Sequence, residues 1–120
     1  MKHHVVCRLF ALALLLLPAA ALAQTSGSIA GEVKDATGAV LPGVTVEVAS
    51  PVLIEKVRSA VTDGAGKFKV TDLRPGSYTV TFTLTGFTTV KRDGIDLNAG
   101  FTATVNGELK VGSMEETIVV

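Results

Sequence analysis

The stretch TDGAGKFKVTDLRPGSYTVTFTL, residues 62–84, decides the fold. It holds two turn signals, Asp63-Gly64-Ala65-Gly66 and Leu73-Arg74-Pro75-Gly76. In Tyr78–Leu84 the alternation is complete: Tyr78, Val80, Phe82 and Leu84 face one way, and Thr79, Thr81 and Thr83 the other. Side chains along a strand alternate with a period of two, so this segment buries one face and wets the other. Phe68 and Val70 point inward on a shorter strand between the two turns.

Working outward, the same pattern recurs on both sides. Ser28–Lys34 places Ile29, Gly31 and Val33 on one face, and Asp35-Ala36-Thr37-Gly38 turns the chain. After a second bend at Val40-Leu41-Pro42-Gly43, Val44, Val46 and Val48 alternate with Thr45 and Glu47. Pro51 ends that strand because it has no N–H to give to a ladder. Lys56–Thr62 is expected as a strand with Val57, Ser59 and Val61 inward. Thr88–Arg92 and Ile95–Leu97 read as one strand interrupted at Asp93-Gly94. After the Asn98-Ala99-Gly100 turn, Phe101, Ala103 and Val105 mark an inward face that Leu109 continues. No window has a helical period, and strands recur about every 8–12 residues between Gly or Pro turns. The expected fold is all-β, a seven-stranded antiparallel Greek-key sandwich.

The N-terminus reads differently. A short basic segment, Met1–Arg8, precedes the apolar run Leu9–Ala23, which ends in the small-x-small sequence Ala21-Leu22-Ala23. Fifteen residues broken by Pro18 fall short of the roughly 20 that span a bilayer. Residues 1–23 are therefore expected to be a signal peptide cleaved before Gln24. Cys7 precedes the apolar run, which argues against lipid attachment. Residues 24–110 form the expected domain and 111–120 a linker and tail.

Loss of the leader leaves 97 residues and removes Lys2, Arg8, both histidines and the single cysteine. The remainder has nine basic and eleven acidic residues, a balance that gives no electrostatic footprint for nucleic acid or an anionic membrane surface. Without His or Cys, neither a Ser-His-Asp nor a Cys-His arrangement can be built, and the usual zinc sites fail too. Gly64-Ala65-Gly66-Lys67 is no phosphate loop: Val61 stands where the first glycine is required, and Phe68 replaces the magnesium-binding hydroxyl. Asp63 is one carboxylate, too few for calcium. Asp93/Asp96 and Glu115/Glu116 are neighbours on loop or tail and not groups held across a cleft. No enzyme activity, cofactor or metal is expected. The row Thr79, Thr81, Thr83, Thr85 suits the wet face of a strand. Glycan binding would rest on an exposed ring, for which Phe87 is the candidate.

The ordered signals resemble a known family. Gly31-Glu32-Val33-Lys34-Asp35 with Gly38, Leu41-Pro42-Gly43-Val44-Thr45-Val46, Thr62–Phe68, Leu73-Arg74-Pro75-Gly76-Ser77-Tyr78 and Gly86-Phe87 are similar to the pattern of the carboxypeptidase regulatory-like domain. The resemblance covers about Ser28–Leu109 and implies a transthyretin-like sandwich that is an accessory, non-catalytic module. Similar domains follow the signal peptide of TonB-dependent outer-membrane receptors, ahead of plug and barrel. More distant likeness to starch-binding-like sandwiches keeps a glycan as an alternative partner.

Glu115-Glu116-Thr117-Ile118-Val119-Val120 resembles a TonB box, with Val111-Gly112-Ser113 as hinge. The resemblance assigns Glu116, Thr117, Ile118, Val119 and Val120 to strand addition on the TonB C-terminal domain. The competing reading is a last strand of the sandwich itself. A chain of this length cannot enclose a receptor barrel; the sequence is expected to be either the N-terminal part of a receptor or a free periplasmic sandwich. In either case the expected location is the periplasm or the periplasmic face of the outer membrane, with secretion as a variant.

Overall fold

A computed structural model describes residues 26–112 and 117–120. The leader reading of residues 1–23 lies outside them, as do Ser113, Glu115 and Glu116 of the hinge and tail. The described residues form nine strands: β1 (Gly27–Asp35), β2 (Thr45–Ala49), β3 (Val57–Val61), β4 (Lys67–Leu73), β5 (Gly76–Thr83), β6 (Thr89–Leu97), β7 (Thr102–Thr104), β8 (Gly107–Leu109) and β9 (Thr117–Val119). They make two facing sheets, one ordered β4-β1-β7 with β8 also on β1, the other β3-β2-β5-β6-β9.

The all-β sandwich is present, but its strand count and its pairing differ from the expected seven antiparallel strands. The last predicted strand is split into β7 and β8 by Val105 and Asn106, and the tail adds β9. β1 with β4, β2 with β3 and β5, and β5 with β6 pair antiparallel, whereas β7 and β8 run parallel to β1, and β9 runs parallel to β6. The reason is topological. After β6 the chain crosses to the other sheet, where β4 already holds one side of β1 and the returning segment takes the other side in the same direction. Hydropathy reports the face of a strand and not its direction.

The core sits between the sheets. Ile29 and Val33 of β1, with Phe68, Val70 and Leu73 of β4, meet Val46, Val48, Tyr78, Val80, Phe82 and Val90 of the other sheet. Phe68 and Phe82 join the layers edge to face, with ring centroids 5.7 Å apart and planes at 71°, a geometry that sets the positive ring edge against the negative face. Tyr78 buries its ring, and its hydroxyl donates to the Arg74 carbonyl at 2.5 Å, tying β5 to the turn that starts it.

Gly31 makes the close strand crossing feasible. A Cβ there would lie 1.8 Å from the Val105 carbonyl oxygen. Val105 donates its N–H to Ala30 at 2.8 Å between the β7 and β8 pairings. Asn106 fills the gap, its Oδ1 accepting from the Glu32 N–H and its carbonyl from Arg92.

Three register expectations need correction. On β3 the outward residues are Val57, Ser59 and Val61, with Arg58 and Ala60 turned toward the core. The inversion arises because Arg58 is used inside, bonding the Thr71 and Asp72 carbonyls at 2.8 and 3.2 Å. Asp93-Gly94 does not interrupt β6: pairing with β5 steps from Tyr78↔Ile95 to Val80↔Arg92, a bulge with Gly94 at φ 70°. Phe101 is 67% exposed. It closes the turn from Asn98 before β7 begins, so the strand alternation does not govern it.

Candidate partner-binding edge

Two aspartates build the turns at one end of the sandwich. Asp35 Oδ1 accepts from the Thr37 N–H, the Thr37 hydroxyl and the Ala39 N–H. Asp63 Oδ1 accepts from Ala65 and Lys67 at 2.9 and 3.0 Å. Each is an Asp bonding its own following backbone, as the turn signals required. The Thr37 hydroxyl bond holds the Asp35 carboxyl below its ordinary range. For Asp63 the Lys67 N–H does the same, followed by that of Ala65. These carboxylates are engaged by the backbone, and no group of three His, Cys, Asp or Glu among the described residues is arranged to hold a metal.

Thr79, Thr81 and Thr83 lie on the outer face of β5, where Thr79 donates to Asp93 at 3.0 Å, and Thr85 sits in the turn beyond it. Phe87, the candidate exposed ring, is half-buried and packs on the core. Sequence reasoning missed a groove of about 640 Å³ that runs over β1, β4 and β7 and reaches Ala60 and Val61 of β3. Ala30 lies in it among Glu32, Lys67, Lys69, Thr104 and Asn106. The signal was available in the outward set of β1 and β4, where one alanine lies among charged and polar residues.

The tail gives a more definite geometry. Thr117, Ile118 and Val119 pair in parallel with Thr89, Val90 and Lys91, and the Val120 N–H donates to the Lys91 carbonyl at 2.8 Å. The segment lies on the sheet edge with its side chains largely in solvent: Ile118 is 44% exposed and Val120 69%. Ile118 and Val120 line a shallow depression with Val90, Glu108 and Lys110. Thr117–Val120 is thus held chiefly by its main chain, with little side-chain burial. The described part of the tail is a last strand of this sandwich.

A model of the carboxypeptidase regulatory-like domain matches residues 28–110. The chain belongs to that family. The family is one of non-catalytic modules. The TonB-dependent transporter Oar of Myxococcus xanthus is 32% identical over 106 residues, which cover 88% of this chain. The chain spans about a tenth of that transporter's length (10%). Among solved structures, a chain of a type II cohesin–X-dockerin complex from Acetivibrio cellulolyticus matches at TM-score 0.59 and 25% identity, over 73% of this chain and 60% of the other. The Bacillus anthracis TIE protein matches at TM-score 0.59 and 20% identity, over 72% of this chain and 17% of the other, a likeness of fold.

Proposed function

We propose that this regulatory-like domain is a non-catalytic accessory sandwich of a TonB-dependent transport system in the bacterial envelope. In this reading residues 1–23 direct export, 24–110 form the domain, and 111–120 deliver a partner-binding strand. Glu116, Thr117, Ile118, Val119 and Val120 add to the sheet edge of the TonB C-terminal domain. Attachment to the outer membrane comes from a barrel beyond this domain. The observation that carries the reading is the described tail itself: an extended β-branched segment held on an edge mainly by backbone bonds. Strand addition uses that same chemistry, with main-chain bonds for affinity and alternate side chains for selection. Similarity to a TonB-dependent transporter supports TonB as the partner in this reading.

Because Val120 already donates to Lys91, the tail has to leave β6 before its backbone can pair elsewhere. Calorimetry of the intact protein with a TonB C-terminal domain should give a Kd of about 1–100 µM, equivalent to roughly 5.5–8 kcal/mol. A Thr117→Pro substitution removes a backbone donor and should abolish the heat. Equal binding by this variant would discard strand addition at the tail.

A further inference from the structure

The sheet that carries β9 has a second edge, β3, which has no ladder partner on its outer side between Val57 and Val61; beyond it, the Asp63 N–H on that side is taken by the Lys67 carbonyl at 2.9 Å. On β3 the even-numbered positions turn their backbone groups to β2, as shown at its two ends, where Thr62 donates to Val44 and Lys56 accepts from Ser50. The odd-numbered positions, Val57, Ser59 and Val61, therefore point theirs away from the sheet. Among the described residues, the N–H groups of Ser59 and Val61 and the carbonyls of Val57 and Ser59 have no hydrogen-bond partner from another strand. Edge strands are ordinarily blunted by charges, prolines or short length. Here the outward side chains are Val57 (44% exposed), Ser59 and Val61 (62% exposed), with no charge among them. The one charged side chain of β3, Arg58, is folded under the edge onto the Thr71 and Asp72 carbonyls, with Glu55 beside it at 3.8 Å.

We infer that β3 pairs antiparallel with β3 of a second copy, about a two-fold axis at Ser59, to join two five-stranded sheets into one. The sequence Val57-Arg58-Ser59-Ala60-Val61 is symmetric in its outward residues about that centre, as an isologous interface requires. Ser59 N–H meets the Ser59 carbonyl of the other copy, and Val61 N–H meets its Val57 carbonyl; both bonds recur by symmetry. Val57 of each copy lies opposite Val61 of the other on the outer face, a β-branched cross-strand pair. Arg58 stays with its own β4 carbonyls and faces Ala60 across the axis, so the register brings no two like charges directly opposite within the strand. The opposite edge is β9, three residues long against the five of β3.

Sedimentation equilibrium of the intact protein tests this. An interface this short belongs with the small, transient ones, so the mean mass should rise toward twice the monomer as the concentration passes on the order of 100 µM. Ser59→Pro leaves the β2-facing bonds intact and should raise the dimer dissociation constant at least about tenfold, with an unchanged circular dichroism spectrum. In a Cys7→Ser background, Ser59→Cys should form an intermolecular disulfide on mild oxidation and exposed Thr85→Cys should not. Self-association unaffected by Ser59→Pro overturns the pairing. So does equal cross-linking at positions 59 and 85, and so does a wild-type protein that stays monomeric throughout.

Discussion

The two sheets reach stability by different routes. The five-stranded sheet is built around β5, whose Tyr78, Val80 and Phe82 are buried while Thr79, Thr81 and Thr83 line its outer side. β2 and β6 both pair with β5 antiparallel, β6 as the next strand in the chain and β2 across the β3–β4 excursion. The four-stranded sheet is centred on β1, whose burial pattern is irregular and whose parallel partners lie some 70 residues away in the chain. One sheet depends on apolar area and local pairing. The other depends on a close backbone approach that a single glycine permits. A buried side chain can be trimmed at a graded cost, whereas this backbone crossing leaves no room for an added atom.

The largest effect should come from the residue that joins the layers. Phe82→Ala removes the ring that meets Phe68 edge to face and should cost about 3–5 kcal/mol in urea unfolding. For a domain of this size that is a large part of total stability. Next is Gly31→Ala, which thrusts a methyl group into the Val105 carbonyl and should cost about 1–3 kcal/mol. Its effect should be local to the β1-β7-β8 ladder, seen as faster amide exchange at Val105 while Val80 stays protected. Gly64→Ala is the control, with open space around the added atom and an expected change within about 0.5 kcal/mol. If Gly31→Ala were as mild as Gly64→Ala, the contrast between the sheets would fail.

Tyr78→Phe keeps the buried ring and deletes its bond to the Arg74 carbonyl, so about 1 kcal/mol should be lost. The smallest effect concerns acid. Asp35 and Asp63 have folded-state pKa values lowered by hydrogen bonds from Thr37 and Lys67, respectively. Each thus contributes stability that is present above the unfolded value of about 3.9 and is lost as pH falls through the lower folded value. Stability measured by urea unfolding should be flat with respect to these groups from pH 7 to about 5 and decline below about 4. Asp63→Asn should soften that decline.

The same contrast explains what was legible in the sequence. Val44, Val46 and Val48 and the inward row of β5 fall where alternation puts them, because hydropathy and face are one property in an antiparallel, half-wet sheet. The family pattern could likewise be followed from Gly31 to Phe87 without a structure. β3 misled because a five-residue strand with three outward β-branched or small residues reads inside out when its arginine is needed on the inner side. The bulge at Gly94 looked like a break because a positive φ leaves no mark other than the glycine itself. β7 and β8 gave no hint of their direction, which is set by contacts with β1. At the tail, β-propensity was visible in Thr117–Val120, but the acceptor, Thr89–Lys91, was not. A strand's appetite for pairing is local, and the edge that satisfies it is a matter of topology.

The parallel placement of β7 and β8 along β1 has a mechanical consequence. β1 opens the described domain and β8 nearly closes it, and the two run in the same direction with Val33–Asp35 against Gly107–Leu109. Pulling the two ends apart therefore loads these bonds lengthwise, all at once, instead of peeling them one by one. Forced unfolding is governed by the unfolding rate, and shear of this kind makes that rate small. Traction applied beyond Leu109 would strip β9 from β6 long before it opened the sandwich, so the tail can be drawn out as a tether while the domain stays folded behind it.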